Sequence, residues 1–114
     1  MNSAGAAAEK QAAQFLRRQG LALIEANYRC RFGEIDLIMR DGAALVFIEV
    51  RLRRRGMFGG AAESITWRKQ QCLLKTAQHY LRDRGNLPLC RFDAVLLEGE
   101  ARQRIEWIKN AFGA

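Results

Sequence analysis

Asp36 and Glu49 are the residues of this 114-residue chain best placed, by type and spacing, to do chemistry. They flank Asp41-Gly42, a two-residue hairpin signal, because Asp and Gly accept the positive φ angles of a type I′ turn. With Asp41-Gly42 as the loop, Arg40 stands opposite Ala43 and Asp36 opposite Phe47. Asp36 and Glu49 then share one face as diagonal neighbours, roughly 7–8 Å apart between backbones. Glu34 falls opposite Glu49, and Arg51 follows on the same face. An odd loop would send the two carboxylates to opposite faces, so the arrangement depends on an even one. Charge at the end of an apolar strand is costly unless it is paired or bound to metal. Two arrangements satisfy that condition. One is a hard-oxygen site for Mg²⁺ or Mn²⁺; the other is an ion-pair network in which Arg51 and nearby arginines neutralise Glu34, Asp36 and Glu49.

These side chains need strands to carry them. Glu34, Asp36 and Ile38 alternate with Ile35, Leu37 and Met39, the period of a strand. Ala44 to Leu52 is apolar and β-branched, as a central strand should be. Upstream, Ala8, Ala12, Phe15 and Leu16 predict a helix over Gly5 to Gln19, closed by Gly20. Glu9 on that helix either leans toward the sheet or is an ordinary exposed residue near the helix N-terminus. Leu21 to Cys30 predicts the first strand. Thr66 caps a second helix running to Arg84, with Lys69, Leu73 and Ala77 on its inward stripe. Lys69 either reaches the carboxylates or covers the core edge with its stem. Arg91 to Leu97 and Gln103 to Lys109 read as the last two strands. Asp93 suits a structural ion pair, both tryptophans suit packing with base stacking as the alternative, and His79 falls on the helix surface.

Composition narrows the chemistry. The chain is 49% hydrophobic with one proline and a formal net charge of +7, and its pI is near 10.0. That content argues against disorder, no apolar stretch approaches the roughly 18 residues of a membrane span, and the charge favours a polyanionic partner. Three cysteines at 30, 72 and 90 lack metal-knuckle spacing, and one histidine excludes a multi-histidine site. Hydrolytic chemistry would therefore use carboxylates. Arg51, Arg53, Arg54 and Arg55, with Arg68 and Lys69 further on, form the basic stretches suited to phosphates. Arg53 to Gly60 has no periodicity and three glycines, which predicts a mobile loop. No signal peptide is legible at Met1-Asn2-Ser3, so a cytoplasmic location is expected.

The order Gly33-Glu34-Ile35-Asp36, hairpin, Phe47-Ile48-Glu49-Val50-Arg51 resembles the core of the PD-(D/E)XK nuclease superfamily. Its pattern is an Asp, a hairpin and then Glu-X-Lys. Over nearly its whole length the chain more closely resembles the small bacterial YraN-like family, related to archaeal Holliday-junction resolvases. Ala8-Glu9, Asn27-Tyr28-Arg29, Lys69, Ala77 with Tyr80-Leu81, and Arg91-Phe92-Asp93 extend that resemblance. It implies one nuclease-like domain over residues 1–114 with a restriction-endonuclease-like α/β fold. The implied core is α-β-β-β-α-β, a central mixed sheet flanked by two helices, with an additional C-terminal strand.

The resemblance also implies Mg²⁺- or Mn²⁺-dependent hydrolysis of phosphodiester bonds in DNA, including branched or junction DNA. Asp36, Glu49, the Val50 carbonyl and Glu9 would hold the metal. Arg51, Arg53, Arg54, Arg55, Arg68 and Lys69 would hold nucleic acid. Position 51 departs from the pattern: arginine supplies charge there but no proton transfer, because guanidinium stays protonated. Lys69 is the residue to take over that role. The same departure supports the alternative, a catalytically inactive nuclease-fold module that binds nucleic acid; an adaptor with merely ion-paired carboxylates ranks third. Partners on this reading are DNA and, by analogy with dimeric resolvases, a second copy. Neither a membrane nor a small-molecule cofactor is expected.

Overall fold

Helix α1 (Ser3–Arg18) buries Ala8, Ala12, Ala13 and Leu16, a stripe at helical spacing whose small side chains let the backbone lie close to a sheet. The computed structural model describes residues 3–53, 65–85, 89–98 and 104–112. At the end of α1 the Leu21 amide bonds the Leu16 carbonyl and the Gly20 amide the Arg17 carbonyl, a Schellman closure. Gly20 makes it feasible at φ 102°, where a side chain would be strained. Buried Leu21 then delivers the chain into the sheet.

Five strands follow the order β1-β2-β3-β4-β5 across one sheet. They are β1 (Ala22–Cys30), β2 (Gly33–Asp41), β3 (Ala44–Arg53), β4 (Leu89–Glu98) and β5 (Arg104–Phe112). Helix α2 (Trp67–Leu81) lies between β3 and β4 in the chain. It makes the crossover that the parallel β3–β4 pairing requires, whereas the other neighbours pair antiparallel. The result is a mixed α/β fold with a helix on each face of the sheet. No helix among the described residues is long and apolar enough to cross a membrane.

Each face has its own core. Leu37, Met39, Val46, Ile48, Val95 and Leu97 pack under α1. Ile38, Leu45, Phe47, Phe92 and Ala94 pack under Leu73, Ala77 and Tyr80 of α2. The close passage of α2 explains Gly33. A Cβ there would come within 3.2 Å of Thr76 Oγ1, and its φ of 149° disfavours any side chain.

The hairpin differs from expectation by one step. Asp41 pairs with Ala44 and Arg40 with Leu45, so Gly42-Ala43 is the turn, with Gly42 at φ 61°. The loop is still even, so the parity that decides facing is unchanged, but Asp36 moves from opposite Phe47 to the level of Glu49. β1 departs from simple alternation too. It carries a bulge between Leu23 and Glu25, which leaves Ile24 exposed.

Alternation also breaks at Asp36. Ile35 packs with Ile38 under α2, while Leu37 packs with Met39 under α1. Residues two apart therefore lie on opposite faces, with Asp36 at the crossing. Its partner strand breaks at the same level: Asn27, between the Ala26–Leu37 and Tyr28–Ile35 pairs, has φ 57°. Asparagine is among the few residues that adopt this conformation at modest cost.

Candidate metal centre and its basic flank

The β2–β3 ladder ends at the Leu37–Ile48 pair, and the strands part at Asp36. There Asp36 Oδ2 accepts a 2.8 Å hydrogen bond from the Val50 amide. The side chain thus satisfies a backbone donor at the opening of the ladder, which holds the carboxyl in place.

From this position Asp36 reaches both sides of the sheet. Glu9, buried on α1, is within side-chain hydrogen-bonding reach of Asp36 and of Asn27. Glu49, buried on β3, also lies within side-chain hydrogen-bonding reach of Asp36. Carboxyl oxygens of Glu9, Glu34 and Asp36 all lie within 4.8 Å of one another. Glu34 is further bound by Arg29 Nε at 2.7 Å.

Crowding raises the proton affinity of the two buried glutamates. Glu49 is pushed up to about 7, first by burial and then by the charge and hydrogen bond of Asp36, with Lys69 and Arg51 pulling the other way. Glu9 is pushed up to about 7 as well, again by burial first and then by Asp36 and Glu34, while Asn27 opposes the rise. Two carboxylates can share a hydrogen bond only through a proton, so each contact to Asp36 needs a proton or a cation between the oxygens. A hard divalent ion fits this donor set, all oxygen and strongly anionic once deprotonated.

Two cations serve Glu49. Lys69 Nζ lies 3.5 Å from Glu49 Oε2, reaching down from the first turn of α2. Arg51 Nε lies 3.4 Å from the same oxygen, yet among the described residues this buried nitrogen has no hydrogen-bond partner. Proximity without hydrogen-bond geometry makes this a charge contact only.

The remaining basic residues spread out. Arg68 is exposed on α2. Arg53 belongs to β3 rather than to a loop, is paired with Glu98 in the ladder and lies 3.9 Å from Glu106 of β5. Arg54 and Arg55 lie outside the described residues, as does the rest of the predicted mobile loop.

Three further expectations are settled by contacts. Asp93 is fully buried and structural: Arg91 Nε, the Trp107 indole and the Asn110 amide all bond it. His79 is half-buried rather than on the surface, because Tyr28 Oη meets its Nδ1 at 2.6 Å. Trp107 packs edge-on to Phe15. Trp67 does not pack; it is 73% exposed.

Sequence reasoning did not place Asn27 or Glu34 among the candidate ligands and their supports. Glu34 was legible as the carboxylate two residues before Asp36, and Asn27 as a residue tolerant of left-handed backbone. What was not legible was the paired break in β1 and β2 that brings them to Glu9.

An oxygen-donor centre at the opening of a central hairpin, served by a lysine from the crossover helix, defines an α/β protein with an acidic centre at a strand opening. Residues 8–97 match the family described as Uncharacterised protein family UPF0102, and the chain belongs to that family. It is 59% identical over 109 residues to the UPF0102 protein NE0719 of Nitrosomonas europaea, covering 95% of this chain and 92% of that one. A UPF0102 protein of Nitrosospira multiformis is 56% identical over 108 residues, covering 95% and 91%. One from Methylobacillus flagellatus is 53% identical over 114 residues, the full length of both chains.

Proposed function

We propose that this protein is a metal-dependent nuclease of the PD-(D/E)XK type acting on DNA, built on a restriction-endonuclease-like fold. The observation that carries the proposal is the position of Asp36, in reach of Glu9 from α1 and Glu49 from β3, with the Lys69 amine 3.5 Å from Glu49. Asp36, Glu49, Glu9 and the Val50 carbonyl would hold Mg²⁺ or Mn²⁺. When bound, such an ion polarises a phosphodiester and lowers the pKa of its water.

The chain's own residues do the rest. Val50 fixes Asp36 through its amide. Asn27 restrains Glu9. Lys69 offers a proton and a positive charge where the phosphate becomes more anionic. Arg51 adds charge without proton transfer. Arg68, exposed beside Lys69, faces the backbone phosphates.

Arg51 also favours a second reading. A non-transferring guanidinium where the superfamily has lysine suits a module that binds nucleic acid without cutting it. Cleavage assays on branched, single-stranded and duplex DNA with Mg²⁺ or Mn²⁺ decide between the two. The nuclease reading expects metal-dependent cleavage that Asp36→Asn abolishes. Salt-dependent binding with no cleavage of any substrate would establish the binding module instead. Absence of both would remove nucleic acid from the account.

A further inference from the structure

The first turn of α2 is held by a buried residue and two side-chain bonds. Ile65 is buried in the core just before it. Thr66 Oγ1 accepts the Lys69 amide at 3.1 Å, and Gln70 Nε2 donates to the Ile65 carbonyl at 3.0 Å. One capping bond satisfies an end donor and the other ties the turn to the anchored residue. On this turn two side chains diverge. Lys69 turns to the carboxylate centre, 3.5 Å from Glu49. Trp67, about 3 Å away along the helix axis, holds its indole in solvent at 73% exposure.

Among the described residues this indole has no aromatic partner, unlike Trp107. An exposed cation, Arg68, is next to it in the helix, and the chain carries +7 overall. An exposed aromatic plane beside a cation matches the two surfaces of an unpaired nucleotide, the face of its base and its phosphate. A base inside a duplex has both faces covered by its neighbours and offers no such plane.

From this we infer that Trp67 is a stacking platform for one unpaired nucleobase at the first turn of α2, the turn that also carries Lys69. The inference rests on the nucleic-acid reading above and deepens it, because it assigns the substrate an unpaired strand.

The test titrates the full chain, without divalent ions so that nothing is cut, with a labelled single-stranded oligonucleotide and a blunt duplex of the same sequence. Trp67→Ala should weaken single-strand binding on the order of five- to one-hundredfold, and change duplex binding less than about twofold. Trp67→Phe, which keeps a ring, should restore most of the loss. Single-stranded DNA should quench the intrinsic fluorescence of the wild type, and quench Trp67→Phe, which reports Trp107 alone, far less. Wild-type binding to both DNAs with no effect of Trp67→Ala overturns this inference and leaves the nucleic-acid reading intact. Equal loss on both DNAs overturns it too, since that is a structural effect. A wild type that binds neither DNA overturns this inference, and the metal-dependent assays on branched DNA above then decide the nucleic-acid reading. Concentration-dependent self-association that Trp67→Ala abolishes, with DNA binding unchanged, would assign the indole to a second copy of the chain instead.

Discussion

The Val50 amide donates a 2.8 Å hydrogen bond to Asp36 Oδ2, across the point where β2 and β3 cease to pair. One carboxyl oxygen thereby substitutes for a missing ladder acceptor. This separates two roles of Asp36. Asp36→Asn keeps an acceptor oxygen for Val50 and should preserve the fold while removing metal binding. Asp36→Ala orphans the amide and should cost a further 1–3 kcal/mol or so of stability. Calorimetric titration with Mn²⁺ and thermal melts of both variants check this. If Asp36→Asn binds Mn²⁺ as the wild type does, the carboxylates are structural.

The raised pKa values of Glu9 and Glu49 set a pH dependence with a definite sign. Both lie near 7 in the fold against an ordinary 4.5. Between those limits the folded chain holds protons that the unfolded chain has released. Their contribution is therefore neutral below about 4.5 and becomes a growing penalty as pH rises toward 7. Glu49→Gln, which mimics the protonated form, should match the wild type near pH 5 and exceed it in denaturant midpoint at pH 8. A gap that shrinks with rising pH would contradict this sign.

Metal binding has to displace the same protons, so it should tighten as pH rises through 7 and release protons as it does. Mn²⁺ should also reverse the high-pH loss of stability. Titrations in two buffers of different ionisation enthalpy would reveal the released protons. Identical apparent enthalpies in both would mean that the ion binds elsewhere.

Lys69, 3.5 Å from Glu49, is the neighbouring cation that can also transfer a proton, unlike Arg51. Lys69→Met should reduce cleavage by at least about a hundredfold, in the range of a lost general acid–base group. With the amine gone, the Glu49 carboxyl should titrate higher still, because Lys69 lowers it. Adding Arg51→Lys should return part of the activity by placing an amine at the superfamily position. No recovery would assign Lys69 a role other than supplying that amine.

Asn27 combines a left-handed backbone with a side-chain bond to Glu9. Asn27→Gly accepts the φ of 57° and removes only the bond. It should leave stability within about 1 kcal/mol and weaken Mn²⁺ binding, as Glu9 loses the partner that restrains its proton affinity. Asn27→Ala adds backbone strain of about 1–2 kcal/mol. Equal Mn²⁺ affinity in Asn27→Gly and wild type would confine Asn27 to a backbone role.

Much of the fold was readable along the chain because local physics carries it. The alanine stripe of α1 with Gly20 after it, the Thr66 cap and the apolar run of β3 each declare an element within a few residues. The even turn was readable for the same reason, though its position was off by one residue at each side. Parity survives that error, but the expected diagonal placement of Asp36 and Glu49 does not: the observed turn sets them at one level.

The break at Asn27 and Asp36 was not, because alternation predicts continuation and its failure depends on what covers each face. Ile35 turns toward Tyr80 and Ile38 because α2 lies there, and Leu37 turns toward Leu16 because α1 lies opposite. The exposure of Trp67 belongs to the same class. An aromatic residue at a helix start reads as core until the direction of that turn is known. Side-chain types and local periods are properties of neighbours in sequence. Whether a carboxyl meets another carboxyl, or an indole meets water, depends on elements tens of residues apart, whose relative placement is set by packing of the whole sheet between its two helices.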